Sequence, residues 1–158
     1  MRSDMFRPYL EKLIGQWLAV PVINTDDQGR YHVRVGTSGF LVELLDFEPT
    51  LVRVWSPVVI GVQKNLELLD TLNGLNGNGL GLRVFFLENK VILATELVAQ
   101  TLDSVQLDFA CHMLAGAAER LGPELVARFG GETLFDHRQD MAGEPEGTRL
   151  PLASGGYL

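Results

Sequence analysis

The chain has 158 residues, of which 46% are hydrophobic and 21% charged, and its 13 Lys and Arg against 20 Asp and Glu give a net charge of −7. This acidic balance argues against binding to nucleic acid or to anionic membranes, both of which need a basic surface. The length is sufficient for a single domain with its own buried core, so we expect one domain and neither a nucleic-acid nor a membrane partner.

Cysteine usage and the N-terminal sequence predict a cytoplasmic protein. Cys111 is the only cysteine, which excludes an intrachain disulfide and a cysteine-based metal cage and suits a reducing compartment. In residues 1–18, Asp4, Glu11 and Lys12 interrupt the apolar core that a signal peptide needs. Nor does any apolar run reach the roughly 18 residues expected of a membrane-spanning helix.

The first predicted element is a helix over residues 5–18, where apolar residues recur at helical spacing. Three strands follow at residues 30–35, 39–47 and 50–60, separated by short sequences rich in turn-forming residues. Their close spacing favours an antiparallel meander, in which each strand pairs with the next.

Helical spacing returns at residues 62–76, with leucines recurring every three or four residues. We expect this helix to end at Asn76 and Gly77, because both residue types readily adopt the left-handed conformation found at helix C-termini. Two further strands are predicted at residues 80–88 and 90–98, joined by a tight turn.

The last predicted helix begins at Asp103 or Ser104, either of which can act as its N-cap. Gly122 and Pro123 are expected to break or kink it, and the glycines at 130–131 to end it. The order of elements predicts an α+β fold with a mostly antiparallel sheet and helices packed on it.

This fold is predicted to occupy residues 1–131 as a single domain. Residues 132–158 are rich in Gly, Pro and acidic residues and show no periodicity. We expect them to form a C-terminal tail that either wraps the domain or remains mobile.

The glycine run in residues 70–83, DTLNGLNGNGLGLR, raises the question of phosphate binding. Phosphate-binding loops join a strand to the N-terminus of a helix, where free N–H groups receive the phosphate. Here the glycines follow a helix and precede a strand, so a phosphate would meet the negative end of the helix dipole. We interpret the run as the junction of a helix and a strand, and a nucleotide-binding or small-ligand enzyme is the least favoured alternative.

Cys111 and His112 invite interpretation as a nucleophile and its base. Consecutive side chains on a helix point about 100° apart, and Cys111 lies on the apolar stripe. We therefore interpret Cys111 as a small core residue beside a surface imidazole. The sequence predicts no catalytic residue.

Two acidic clusters are candidate metal sites. Asp136, His137 and Asp140 could supply ligands, but they lie in an irregular acidic stretch and are interpreted as a solvated loop. Asp26 and Asp27 resemble half of a calcium loop without its later glutamate, and a turn accounts for them better. We expect neither a metal nor another cofactor.

Several predicted strands carry apolar residues on both faces, and only one face can pack under the helices. The other face, represented by Leu51, Trp55, Phe85 and Ile92, needs a cover such as a client peptide, the tail or a partner subunit. We predict that these four residues form a peptide-binding surface. The alternative is a self-associating scaffold or regulatory dimer, in which the same face is buried against its twin.

Several stretches together resemble the YbjN-like family, namely PTLVRVWSPVV (49–59), LELLDTLNGLN (66–76), VILATELVAQTLDSVQLDFACHMLAGAAERL (91–121) and ARFGG (127–131). This family is similar to type III secretion chaperones and is grouped with actinobacterial peptide-binding chaperone-like domains. The resemblance implies a non-enzymatic bacterial domain, commonly a homodimer, that holds an extended segment of a client protein on apolar patches of its sheet.

The resemblance also implies a location for the dimer contact. In the secretion chaperones the second helix and a neighbouring strand tend to build it. The matching positions here are Leu68, Leu72 and Leu75 on the helix, with Leu82 and Val84 on the strand.

Overall fold

The computed structural model describes residues 2–20, 23–35, 38–79 and 81–134. Its element order confirms the predicted α+β fold. The main elements are α1 (Arg7–Leu18), β1 (Tyr31–Val35), β2 (Ser38–Leu45), β3 (Leu51–Ile60), α2 (Leu66–Asn78), β4 (Arg83–Leu87), β5 (Lys90–Val98) and α3 (Ser104–Phe129).

The five strands form one antiparallel sheet in the order β1-β2-β3-β5-β4. β3 is central, and Trp55 in its middle lies opposite Leu41 of β2 and Ala94 of β5. β4 and β5 are joined by the tight turn that the sequence predicts. Its residues Glu88 and Asn89 have φ values of 46° and 60°, which suit the twist of a two-residue hairpin.

The main hydrophobic core lies between one face of the sheet and the helices. Val54 and Leu93 of the sheet are buried there with Ile14 of α1, Leu68 of α2 and Leu107 of α3. The alternation of side chains along each strand places the neighbouring residues on the opposite face. The predicted division of the strands into two apolar faces is therefore confirmed.

Both long helices begin at a side-chain cap. The side-chain carbonyl of Asn65 accepts a hydrogen bond from the backbone N–H of Leu68 at 2.8 Å. The Asp103 carboxylate accepts one from the backbone N–H of Gln106 at the same distance. α2 thus starts later than predicted. Val62, which the periodicity assigned to the helix, precedes the cap and is buried in the core.

The predicted end of α2 at Asn76 and Gly77 is wrong. The helix continues to Asn78, its C-cap Gly79 has an extended backbone, and the left-handed residue is Gly81 with φ of 71°. The reason is that the Asn76 side chain hydrogen-bonds to the backbone of Val84 and holds the last turn against β4. The glycine run nevertheless joins the C-terminal end of α2 to a strand, as predicted, and offers a phosphate no helix N-terminus.

Of the break or kink predicted in α3 at Gly122 and Pro123, the break is wrong, because one helix of 26 residues continues through them. A proline inside a helix costs about 3 kcal/mol. The ring of Pro123 is exposed, and Leu121 and Leu125 on either side of it are buried. Core packing on both sides of the proline offsets the lost helical hydrogen bond.

None of the helices in the described ranges is long and apolar enough to cross a membrane.

Directly after α3 the chain returns to the sheet. Glu132 and Ile60, at the end of β3, exchange two backbone hydrogen bonds of 2.8 and 2.9 Å. Gly131 permits this approach, because its φ is 81° and a Cβ atom there would lie 2.5 Å from the carbonyl oxygen of Ile60. The two residues of the predicted tail that follow, Thr133 and Leu134, are half-buried and buried, and the rest of the tail lies outside the described residues.

Candidate functional site

The sheet face opposite the main core, here called the outer face, carries a second apolar cluster. Three of the four residues predicted for the peptide-binding surface, Trp55, Phe85 and Ile92, belong to it, so the structure brings them together. Leu51 lies on the same face of β3 but outside the cluster, and is half-buried. The complete cluster consists of Leu41, Trp55, Phe85, Leu87, Ile92 and Ala94.

Burial within the cluster is uneven. Trp55 is 5% exposed and Ile92 2%, although the sequence analysis expected that they would need a cover from outside the strands and helices. Phe85 and Leu87 are half-buried and provide the accessible apolar surface. A ligand on the outer face would therefore meet Phe85 and Leu87 first, with Trp55 and Ile92 beneath.

The indole N–H of Trp55 is the one buried side-chain polar atom that lacks a hydrogen-bond partner within the described ranges. A buried donor left unpaired costs about 1–3 kcal/mol. The Glu43 carboxylate lies close enough to interact with this N–H, but the contact falls short of hydrogen-bond geometry. Burial raises the pKa of Glu43, while the charges of Arg53 and Arg30 and the side-chain N–H donors of Arg53 and Trp55 oppose that rise.

A row of charged side chains with alternating sign crosses the outer face beside the cluster. Arg53 of β3 contacts Glu43 of β2 at 3.4 Å and Glu96 of β5 at 3.1 Å, and Arg83 of β4 also pairs with Glu96. The Arg53 side chain is only 9% exposed, so both carboxylates are needed to balance its buried positive charge. Sequence reasoning missed this row. Its signal was a single charged residue within the otherwise apolar sequences of β2 and β3, at Glu43 and Arg53.

The residues implied for the dimer contact divide into two groups. Leu68, Leu72 and Val84 are buried in the core of the protomer itself, at 0%, 3% and 4% exposure. Leu75 and Leu82 are half-buried. Only these last two offer surface to a partner.

Leu75 and Leu82 line an open groove of about 470 Å³ between α2, β4 and α3. Met113, Gly116 and Ala117 of α3 form the opposite wall. The groove is mostly apolar along these walls, and it lies on the helical side of the sheet, away from the outer face.

The structure assigns Asn76 a role that the sequence analysis missed. Its amide nitrogen donates to the carbonyl of Val84 at 2.8 Å, and its amide oxygen accepts from the N–H of Val84 at 2.8 Å. The side chain thereby ties the last turn of α2 to β4. An asparagine in the last turn of a helix that leads directly into a strand was the available signal.

The side chains of Cys111 and His112 point in different directions, as predicted. Cys111 is 1% exposed in the main core, and burial, with a contribution from Asp108, raises the pKa of its thiol to about 12. His112 is exposed, with its ring edge-on to Trp17 at 5.8 Å. The pair therefore lacks the geometry of a nucleophile and its base.

The Asp26 carboxylate is fully used within its own turn. It accepts from the backbone N–H groups of Gln28 and Arg30 at 2.9 and 3.0 Å, and it pairs with the side chains of Arg30 and His32. Burial alone would raise the pKa of Asp26, but these hydrogen bonds, led by the backbone of Arg30, lower it. The interpretation as a turn is confirmed.

No group of three or more His, Cys, Asp or Glu side chains suited to a metal ion occurs in the part of the chain that the structure describes. Asp136, His137 and Asp140, the other acidic cluster considered above, lie outside that part.

Comparison with known proteins gives the chain a family. The family described as T3SS (YopN, CesT) and YbjN peptide-binding chaperone 1, or TY-Chap1, matches residues 4–137. The chain belongs to this family. The resemblance to YbjN-like proteins and type III secretion chaperones is therefore confirmed, and the TY-Chap1 family is one of chaperones rather than of enzymes.

Solved structures share the fold of this TY-Chap1 member. The ExsC–ExsE complex is similar with a TM-score of 0.56 and 19% identity, over 71% of this chain and 90% of that one. SycH of Yersinia pestis, solved with a fragment of YscM2, is similar with a TM-score of 0.52 and 17% identity, over 70% of this chain and 94% of SycH. YbjN from E. coli is similar with a TM-score of 0.54 and 16% identity, over 75% of this chain and 89% of YbjN. No curated protein matches the chain.

Proposed function

We propose that this chain binds an extended segment of a client protein on the outer face of its sheet, by contact alone and without catalysis. The observation that carries the proposal is the indole N–H of Trp55, a buried donor inside an apolar cluster that no acceptor in the described ranges meets with hydrogen-bond geometry. A backbone carbonyl of an extended peptide could accept from this N–H. Binding would then remove the cost of the unpaired donor.

The apolar side chains around Trp55 supply the remaining contact. Phe85 and Leu87 are half-buried, and Leu51 lies further along β3 on the same face. Covering such side chains contributes about 25 cal/mol for each Å² of apolar surface removed from water. Access to Trp55 and Ile92 requires that their neighbours on the sheet move aside as the peptide settles.

Family membership supports a protein client, because TY-Chap1 is described as a peptide-binding chaperone family. Among the similar structures, SycH is solved in complex with a fragment of YscM2. The net charge of −7 favours a client segment that is basic as well as apolar. The single cysteine suits a cytoplasmic place of action.

We further propose that the protein is a homodimer joined at the groove between α2, β4 and α3. Leu75 and Leu82 contribute accessible apolar surface there. A groove on the helical side leaves the outer face free for the client. The self-associating scaffold, in which the outer face itself is buried between two copies, is the competing arrangement.

The experiment compares Trp55→Phe with Trp17→Phe, since these are the only two tryptophans. Fluorescently labelled synthetic peptides that combine apolar and basic residues are titrated with the wild type and with each variant. Trp55→Phe keeps the aromatic ring but removes the N–H, and we expect it to weaken binding about tenfold, the value of one hydrogen bond.

Trp17→Phe is the matched control, because Trp17 lies on α1, packs on Phe40 and hydrogen-bonds to Asp108. It should bind the peptides as the wild type does. Equal affinities for the wild type and Trp55→Phe, or an equal loss in both variants, would contradict a binding site at Trp55.

A further inference from the structure

The free edge of β4 is the feature that the proposed function does not use. β4 pairs with β5 on one side and forms the end of the sheet on the other. Four of its five residues, in the sequence RVFFL, are apolar and favour strands. An edge of this kind is a template on which another strand can add.

The register of the hairpin identifies the backbone groups that face outward. The two-residue turn follows Leu87, so Leu87 and Phe85 direct their N–H and C=O groups towards β5. Val84 and Phe86 alternate with them and direct theirs away from the sheet. A strand adding to β4 would have to bond to Val84 and Phe86.

Asn76 already occupies the position of such a strand at Val84. Its side chain donates to the carbonyl of Val84 and accepts from the N–H, each at 2.8 Å. A side-chain amide carries the same donor and acceptor as a peptide group. The Asn76 side chain therefore satisfies the outward groups of Val84 as a neighbouring strand would.

We propose that Asn76 is a surrogate strand that closes the edge of β4 against pairing with β4 of a second copy of this chain. Two such edges would meet across a two-fold axis in antiparallel pairing, in which every contact between two residues is repeated with the two copies exchanged. Each copy would need the groups of Val84 that Asn76 holds. This inference does not depend on peptide binding, and it concerns an edge rather than the groove proposed for the dimer.

The test compares Asn76→Ala with Asn73→Ala. Asn73 is exposed on the same helix one turn earlier, so the control makes the same substitution without touching β4. Sedimentation velocity over a range of concentrations measures the association state, and hydrogen exchange of the Val84 amide in dilute protein measures its protection.

We expect Asn76→Ala to associate beyond the state of the wild type, with an association constant raised at least about tenfold, and its Val84 amide to exchange faster. Asn73→Ala should match the wild type in both measurements. If Asn76→Ala exchanges faster at Val84 but sediments as the wild type at every concentration, Asn76 only ties α2 to β4 and the proposal is overturned.

Asn76→Gln guards against loss of folding in the alanine variant. Glutamine favours the helix more than asparagine does, and it displaces the amide by one methylene group. We expect the same association as in Asn76→Ala, and wild-type sedimentation of a folded Asn76→Gln protein with an unprotected Val84 amide would overturn the proposal equally.

Discussion

At the scale of single residues, the buried side-chain polar atoms in the described ranges have hydrogen-bond partners, with Trp55 as the exception. Arg53 is held by two carboxylates in the middle of the sheet. The hydroxyl of the fully buried Tyr31 donates to Glu11 at 2.9 Å and accepts from Arg7 at 3.0 Å, which joins β1 to α1. The unpaired indole of Trp55 is therefore an exception with a functional interpretation.

Such partners could not be predicted from the sequence. Arg53 and Glu43 are ten positions apart, and a charged residue in a strand pattern normally indicates the solvent side. Their contact depends on the register of β2 against β3. Alternation, in contrast, divides the side chains of each strand into two sets, because the pleat imposes that division. Both sets are apolar here, and the register of β3, β5 and β4 then brings Trp55, Ile92 and Phe85 to one face.

Tyr31 gives a prediction about stability at high pH. Burial, with the hydrogen bond to Glu11, raises its pKa from 10.0 to about 12. The unfolded chain thus loses the phenol proton at lower pH than the folded chain. The resulting contribution to stability is complete below about pH 10 and is lost as the pH rises towards 12.

We expect the free energy of unfolding to fall more steeply between pH 10 and 12 in the wild type than in Tyr31→Phe. Urea unfolding at a series of pH values measures both slopes. Parallel slopes would mean that Tyr31 titrates alike in the folded and unfolded chains.

At the scale of elements, periodicity predicted the number, type and order of the helices and strands, but contacts with other elements determine where they end. α2 runs past Asn76 because that side chain bonds to β4. α3 continues through Pro123 because Leu121 and Leu125 hold both sides of it in the core. Both end signals are local preferences of about 1–3 kcal/mol, which tertiary contacts can outweigh.

The junction after α3 gives a prediction at this scale. Gly130 and Gly131 both have φ of 81°, so either substitution by alanine forces a strained backbone at a cost of about 1–3 kcal/mol. They differ in their surroundings, because a Cβ at Gly131 would meet the Ile60 carbonyl at 2.5 Å and one at Gly130 would meet nothing within 4 Å.

We expect Gly131→Ala to lower the free energy of unfolding by at least about 1 kcal/mol more than Gly130→Ala does, since it adds a backbone clash to the same strain. Denaturant unfolding of the two variants measures the difference. Equal losses would contradict a costly clash between a side chain at position 131 and the carbonyl of Ile60.

At the scale of the whole molecule, the sheet separates two surfaces with different proposed roles. The helices and the main core lie on one side, and the outer face on the other. The groove between α2, β4 and α3 belongs to the helical side. A dimer formed there and a client held on the outer face would not compete for the same surface.

Gly116 allows a direct test of the dimer. It lines the groove on α3, and a side chain added there would meet nothing within 4 Å, so Gly116→Glu places a charge in the groove without disturbing the fold. Gly74→Glu is the matched control, because Gly74 lies on α2, outside the lining of the groove, with equally open surroundings.

We expect the wild type and Gly74→Glu to sediment as dimers and Gly116→Glu to shift to monomer, because a buried charge without a partner disfavours the interface. A dimer that survives in Gly116→Glu would move the contact elsewhere. A wild type that is monomeric at all concentrations would remove the dimer altogether.

The two-sided character of β3 has a consequence for how this protein can change over evolutionary time. Val52 and Val54 are committed to the main core, whereas Arg53 and Trp55 between them face outward. Under the proposed function, substitutions in the outward set would change which client segments bind, while the inward set keeps the main core packed. The two sets of side chains on β3 can therefore be substituted largely independently, one set changing the outer face and the other the main core.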